Sequence, residues 1–259
     1  MKILKISILS LFLLSLSGLF AQRPVQREQV DSATTIFWLD ANLSYQIPFG
    51  ELYKTFKPNF NLGPGFTFKT ASNWTTHVRF NYLFGSSIRC DIKDILGNMV
   101  NSNGDIIDGY GMKGTLGLEG RYWYIAAGGG KIIPVLPNKR NSGIWLSADI
   151  GYFVHKIHFT DNDHLIDQLD GDYKKGYDQR SAGLCLSQFI GFIHIGKVRV
   201  ASFYGGIEIY EMWTTPTRNY NFVYGPTTNQ KKFSALLGFK IGWIVPLYEQ
   251  KKTQNLYYN

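Results

Sequence analysis

The sequence predicts an all-β chain closed as a transmembrane, antiparallel up-and-down β-barrel of eight strands, with ten strands as the alternative count. Three observations carry that reading. The first is the stretch Lys232 to Leu247. Phe233, Ala235, Leu237, Phe239, Ile241, Trp243, Val245 and Leu247 are apolar there, while the alternate positions include Lys232, Ser234, Gly238, Lys240 and Gly242. A period of two gives one apolar and one polar face, and about ten tilted residues of such a strand cross a bilayer. The second is that no segment beyond the N-terminal leader approaches the roughly eighteen unbroken apolar residues of a membrane helix, so insertion has to use strands. The third is that similar strands recur often enough to close a barrel. Hydrocarbon demands closure, because an open edge would leave backbone N–H and C=O groups unpaired. A 15% aromatic fraction, 27 glycines and a charged fraction of only 18% suit twisted sheet facing lipid.

Residues 1–21 carry Lys2 and Lys5, then an apolar run from Ile6 to Phe20, then the small Ala21. This is the pattern of a secretory signal peptide. Leu19 departs from the small-residue rule for cleavage, which keeps a cut after Gly18 and a retained anchor open. Residues 22–35 are polar and aperiodic and are expected to be a periplasmic lead-in; 36–247 is the expected barrel and 248–259 a polar periplasmic tail. Taking away Lys2 and Lys5 lowers the formal charge from +8 to +6. The remaining basic residues are scattered, which argues against nucleic acid as a partner and for contact with anionic lipid, including lipopolysaccharide, in the outer membrane. Cys90 and Cys185 make no metal-ligand pattern; two inert thiols and a disulfide tying a loop to the rim both stay open.

The first strand is expected to place Phe37, Leu39, Ala41, Leu43, Tyr45 and Ile47 toward lipid, with Trp38, Asp40, Asn42, Ser44 and Gln46 inward. Pro48 to Pro58 reads as a loop. Phe60 to Lys69 is a second strand, with a bulge or bend expected at Gly63-Pro64-Gly65. After a tight link at Thr70 to Asn73, the third strand alternates from Trp74 to Phe84, with His77, Arg79 and Asn81 inward. Ser86 to Asp108 reads as a long loop, and long loops opposite tight turns set the vertical sense of the barrel. A fourth strand, about Tyr110 to Ala126, is expected to turn Tyr122 and Tyr124 outward and Lys113, Glu119 and Arg121 inward. The fifth carries Ile144 to Val154 outward and Trp145, Ser147, Asp149 and His155 inward. His158 to Arg180 reads as a second polar loop. The sixth strand, Ala182 to Ile195, loses parity near Ser187, as a bulge would cause. After a turn near Gly196, the seventh runs from about Val198 to Met212, and a polar aromatic loop leads to Lys232.

This alternation, with its aromatic-rich last strand, resembles small outer-membrane β-barrels, most of all OmpA-type, OmpX-type and PorT-like ones. The resemblance covers the mature chain and rests on periodicity, so it implies a fold and little about activity. A lumen this narrow is filled by side chains. Asp40, Arg79, Lys113, Glu119, Arg121, Asp149, His155, Glu208 and Lys240, with Lys232 at the rim, are therefore expected to form a lumen charge network, a conducting path being the alternative. Ala127 to Asn141 is longer than a periplasmic turn needs. Its Lys131, Ile132, Ile133, Val135, Leu136, Lys139 and Arg140 are expected to bind a partner, unless the flanking strands simply run on past the membrane. No cofactor and no metal are expected. Asp161, Asp163, Asp167, Asp170 and Asp172 cluster without the glycine of an EF-hand loop. His155, His158, His164 and Ser181 offer a rim constellation for lipid modification, but no motif supports it. The expected role is a non-enzymatic subunit of an envelope complex, bound to other outer-membrane or periplasmic proteins of an insertion or secretion machinery. A lipid A-modifying enzyme and a small channel are the alternatives.

Overall fold

Eight long strands pair edge to edge until the last meets the first. The structure, a computed structural model, describes residues 33–247 apart from 102, 104, 108–109, 115, 138, 162–165, 167–168, 170 and 197–200. The expected signal peptide, most of the lead-in and the tail therefore lie outside the described residues. In chain order the strands are β1 (Ile36–Gly50), β2 (Asn59–Lys69), β3 (Trp74–Ser87), the two-residue β4 (Ile106–Ile107) and β5 (Lys113–Gly114), β6 (Gly117–Pro134), β7 (Gly143–Thr160), β8 (Ser181–His194), β9 (Ser202–Pro216), the short β10 (Tyr220–Asn221) and β11 (Gly225–Pro226), and β12 (Lys232–Leu247). The barrel order is β1-β12-β9-β8-β7-β6-β3-β2, all antiparallel, and β1 pairs with both β12 and β2 to close the cylinder. The short strands form two ribbons outside it.

Side-chain burial alternates strictly along β1 and most of β12. The outward set is large, apolar and half exposed, as with Leu39 at 48%, Val78 at 52%, Ile150 at 57% and Phe239 at 60%. A soluble protein does not leave a continuous belt of such residues in water. Aromatic rings gather at both ends of the belt. Tyr45, Phe60, Phe84 and Tyr82 follow one another at the long-loop end, and Phe37 lies against Phe66 and Phe68 at the other. That is the girdle arrangement of a membrane-spanning barrel. Among the described residues no helix is long and apolar enough to cross a membrane.

The structure departs from the sequence expectation in several places. β2 keeps unbroken register with β1 through Gly63-Pro64-Gly65, with no bulge, while its pairing with β3 lapses at Gly63 and Pro64, between the pair Leu62 with Tyr82 and the pair Gly65 with Arg79, as a proline without an N–H to give the ladder would cause. β8 has no bulge: its register to β7 and β9 is continuous, with Cys185, Ser187, Phe189 and Ile193 inward and Gln188 on the lipid face. The irregularity in the barrel falls instead between Leu83 and Ser86 of β3, where Gly85 takes φ +75°. β6, Gly117–Pro134, begins and ends several residues later than the expected Tyr110 to Ala126 and has the opposite parity, so Tyr122 and Tyr124 are buried inward. Val154 is buried too, since β7 rises beyond the membrane belt under the loops.

The long loops are not solvated coils. Helix α1 (Glu51–Thr55), Phe56, helix α2 (Ile92–Leu96), Val100, Ile106, Ile166 and Leu169 share one apolar cluster with Leu83, Tyr122, Phe153 and Leu236 of the barrel. Gly97 ends α2 at φ +55°, and Asp91 caps its start by accepting from Lys93 N. The Arg89 guanidinium lies 4.0 Å over the Tyr53 ring, linking the first loop to the second. Both cysteines are free thiols; Cys90 is half-buried in this cap and Cys185 fully buried in the wall. The disulfide alternative is thereby removed. In the folded barrel a maleimide reagent is expected to label Cys90 and to reach Cys185 only after unfolding. Burial and then the charge of Asp94 hold the Cys90 thiol pKa above its ordinary value, so its labelling rate is expected to climb steeply as the pH is raised above neutral, the thiolate being the nucleophile. Rapid labelling of Cys185 before unfolding would contradict the packing described here.

Candidate functional site

The lumen is filled in three layers. At the short-turn end, Trp38, Ile132, Trp145, Phe189, Ile193, Tyr204 and Ile244 make an apolar seal. Trp145 sits at its centre, with Trp38, Phe189 and Tyr204 edge-on at 6.0, 5.5 and 5.3 Å between ring centroids. At the other end Tyr122, Phe153, Met212 and Leu236 meet Phe56 of the cap, whose ring is 5.2 Å from that of Tyr122. Between the seals lies a polar layer.

That layer is built across glycines. In an antiparallel barrel, inward residues in register on successive strands form a row around the wall. His77, Gly128, Asp149 and Ser187 are one such row. The Gly128 position leaves a gap on the inner face, and through it His77 Nε2 contacts Asp149 Oδ1 on the strand beyond. A Cβ on Gly128 would stand 2.2 Å from that carboxylate oxygen. Gln46, Gly238 and Glu208 repeat the device: Gln46 Nε2 passes over the glycine to donate to Glu208 Oε1 at 2.6 Å. Gly242 does the same for Tyr204, whose hydroxyl donates to Asp40 Oδ2 at 2.8 Å.

The charges balance locally. Glu208 takes hydrogen bonds from Gln46 and from Ser44 Oγ at 2.6 Å, and an ion pair from Lys240. Asp149 takes His77, Ser187 Oγ at 3.0 Å and Arg79 Nη1 at 3.6 Å. Tyr124 Oη shares a hydrogen bond with Ser187 at 3.0 Å, and the Arg79 guanidinium also lies 5.1 Å from the Trp145 ring. Between these clusters Asn81 Nδ2 donates to both Asn42 Oδ1 and Asn61 Oδ1. Arg79 Nε and Nη2, His77 Nδ1 and Thr67 Oγ1 are buried without a hydrogen-bond partner among the described residues.

Of the expected charge network, Asp40, Arg79, Asp149, Glu208 and Lys240 occupy the lumen. Lys113, Glu119 and Arg121 do not. The inverted parity of β6 puts Glu119 and Arg121 on the outer surface, and Lys113 lies in β5 outside the barrel, paired with Asp105 at 2.5 Å. His155 points inward but joins no ion pair. Its ring packs against Phe56, Tyr122 and Phe153. Lys232 is exposed on the cap side. His77, Tyr204, Ser44 and Gln46 are network members that charge counting alone passes over, although their parity placed them inward; Tyr124 joins them against the outward placement expected for it.

The expected partner segment divides in two. Lys131 to Pro134 belong to β6, paired with Gly143 to Leu146, so the flanking strands do run on. Ile132 is fully buried in the lower seal and presents nothing to a partner, and Lys131 lies 4.6 Å over the Trp74 ring. Ile133, Val135 and Leu136 are exposed at 45%, 49% and 38%, and Lys139 and Arg140 are exposed beside them. The hairpin base is pinned: Asn73 Nδ2 donates to Arg140 O at 3.0 Å, and the buried Lys69 donates to Asn141 Oδ1 at 2.8 Å and to Thr34 O at 2.9 Å.

Ser181 Oγ donates to Gln179 O at 3.4 Å, and among the described residues no hydrogen bond joins it to His155 or His158. His164, Asp163, Asp167 and Asp170 lie outside the described residues. Asp161 accepts from Ile166 N, and Asp172 pairs with Lys175.

The class of protein this geometry defines is a small eight-strand outer-membrane-type β-barrel with a side-chain-filled lumen. No family model matches the chain, and no curated protein matches it. Solved structures similar to it include the attachment invasion locus protein Ail of Yersinia pestis (TM-score 0.41, 9% identity, 82% of this chain and 99% of that one). Neisserial surface protein A, NspA, aligns at TM-score 0.41 and 8% identity over 80% and 96% of the two chains. OprG from Pseudomonas aeruginosa aligns at TM-score 0.41 and 12% identity over 85% and 98%. At these values the likenesses carry no weight of their own; the class rests on the chain's own closure and apolar belt.

Removing one partner from the mid-lumen strands the others. Asp149→Ala is expected to destabilise the barrel by about 3–5 kcal/mol, because it leaves buried Arg79 and His77 uncompensated. The triple variant His77→Ala, Arg79→Met, Asp149→Ala is expected to recover part of that loss. Urea unfolding in lipid vesicles measures both, and a single variant as stable as the parent would refute the network's structural weight.

Proposed function

We propose that this chain is an exported outer-membrane barrel that acts without catalysis, as a structural or accessory subunit of an envelope complex such as an outer-membrane insertion or secretion machinery. The observation that carries the reading is the pinned hairpin at the short-turn, periplasmic end, whose exposed Ile133, Val135 and Leu136 stand next to Lys139 and Arg140. A barrel that served only as a membrane plug needs a turn there no longer than Thr70 to Asn73. Apolar residues held in water on an anchored support suit docking, since the ordering cost is already met. Each side chain fully buried on contact contributes roughly 1.5–3 kcal/mol. Two seals across the lumen argue against the channel alternative. Ser181 faces His155 across the β7–β8 pairing, but its hydroxyl is turned to Gln179 O and no hydrogen bond joins it to a base among the described residues, which argues against the lipid-modifying one. Lipopolysaccharide on the belt and periplasmic or outer-membrane proteins at the hairpin are the partners this reading implies, with residues 1–21 removed on export.

Replacing Val135 to Arg140 by a short glycine-containing turn, which spares Ile132 and the Asn141 anchor, is expected to leave a barrel that is folded and heat-modifiable on gels. It is expected to release proteins that co-purify with the parent from mild detergent. Retained co-purification at the parental yield would return the hairpin to being the overhang of two long strands.

A further inference from the structure

Above the upper seal, between the cap and the ends of β7, β8, β9 and β12, lies a cavity of about 300 Å3. That is the low end of the range for small-molecule sites, about 300–1,000 Å3. Its barrel side is made by inward-facing residues of adjacent strands, His155, Ser181, Thr214 and Ser234, and its outer side by α1, the 175–180 segment and the β10–β11 ribbon.

The charge on its walls is lopsided. Four cations line it, Lys175, Arg180, Arg218 and Lys232, against one carboxylate, Glu51. Arg218 is already held by Asp178, at 3.1 and 2.6 Å, Lys175 by Asp172 at 2.5 Å, and Glu51 by Lys54 at 2.6 Å. Among the described residues neither Arg180 nor Lys232 makes a close ion pair, although Lys232 lies near enough to the Glu51 carboxylate, itself bonded to Lys54, to act on its charge. The Arg180 backbone is held in place: its N–H donates to Asp178 Oδ1 at 3.1 Å, and its carbonyl accepts from Thr217 N and Oγ1 at 2.9 and 3.1 Å. Gln179 beside it takes φ +45°, a conformation that L residues adopt only when their surroundings impose it and that gathers at ligand sites. His155 Nδ1, buried on the cavity's inner side, has no hydrogen-bond partner among the described residues. Tyr220 and Tyr224 supply aromatic surface.

Cations, hydroxyls, an imidazole nitrogen and aromatic surface in one small cavity are the chemistry that recognises an acidic sugar. We infer that this cavity binds a monosaccharide bearing a phosphate or carboxylate, with Arg180 and Lys232 on the anionic group and His155 and the strand-end hydroxyls toward the sugar. The cavity is walled by lumen-side residues and not by the lipid face, so the ligand is a free solute reaching it from the long-loop side and not a lipid headgroup. This site is at the opposite end from the hairpin and stands or falls independently of it.

Calorimetric titration of the full chain in a non-ionic detergent, with glucose 6-phosphate, glucuronate, glucose and inorganic phosphate as probes, tests the inference. One or both acidic sugars are expected to bind, with glucose and inorganic phosphate each at least about 10-fold weaker, since charge-assisted bonds are the strong ones. Lys232→Gln, at an exposed position that the fold does not need, and the double variant Arg180→Gln, Lys232→Gln are each expected to weaken binding, the double by at least about 10-fold, while both remain heat-modifiable. Affinity for glucose or for inorganic phosphate equal to that for the acidic sugars, absence of binding by both acidic sugars, unchanged affinity in the Lys232→Gln protein, or displacement of the sugar by phosphatidylglycerol vesicles at lower concentration than by free glucose 6-phosphate would each overturn it.

Discussion

Everything in this molecule follows from one demand: at membrane depth each backbone N–H and C=O must find its partner inside the protein. The ladder between β1 and β12, from Phe37 opposite Leu247 to Gly50 opposite Ser234, is where the demand is met, because it converts a sheet with two edges into a cylinder with none. Closure with eight strands leaves an interior just wide enough for side chains. The chain must then fill that space with residues that alternate against an apolar outer set, and the inner face cannot be uniformly polar without stranding groups far from water.

The solution is a gradient along the barrel axis. Apolar and aromatic residues close both ends, and in the middle Arg79, Asp149, Glu208 and Lys240 meet opposite charges, while the buried Lys69 at the short-turn end is held by Asn141 and backbone carbonyls. Taking such charges out of water is costly unless they are paired and hydrogen-bonded. Pairing across a wall of adjacent strands would crowd neighbouring side chains, and the glycines resolve this. Gly128, Gly238 and Gly242 each vacate one position in a row, so that residues two strands apart bond across the gap. These glycines are needed for close approach of side chains and not for unusual backbone angles. In hydrocarbon-facing sheet, where Gly otherwise weakens a strand, that is a physical reason for its presence.

How far this is readable from the sequence depends on which face carries the contrast. Along Phe37 to Ile47, Trp74 to Phe84 and Phe233 to Leu247, lipid-side apolar residues alternate with Asp, Asn, Gln, Lys, Ser or Gly, and the period of two names every inward residue correctly. Where the inner face is itself apolar, as at the seals, the contrast vanishes. Tyr122 and Tyr124 are then indistinguishable from lipid-facing residues, and the polar Glu119 and Arg121 draw the inward assignment to the wrong side. Cys185, Phe189 and Ile193 produce the same failure in β8, which reads as a slipped register although none exists. The cap is harder still. Leu52, Ile95, Leu96 and Ile106 are isolated in polar sequence, and only the folding of separate loops onto one another gathers them into a core.

The two ends of the barrel are therefore built by different means. The short-turn end is made rigid by local bonds, with Lys69, Asn73, Asn141 and Ser142 tying the hairpin to the strand ends beside it. The long-loop end is made rigid by cooperation among distant segments, so that Asp178 orients Arg218, Tyr224 donates to Asp94 O, and Phe222 N bonds to Gly176 O. A local anchor presents a small convex tip, which suits a protein surface. A cooperative cap encloses volume, which suits a small solute. Between the two ends the lumen is closed by the aromatic seal around Trp145 and by the Phe56–Tyr122 contact, and both would have to open for anything to pass. Unstacking either seal would expose buried aromatic surface, at a cost on the order of 25 cal/mol for each Å2.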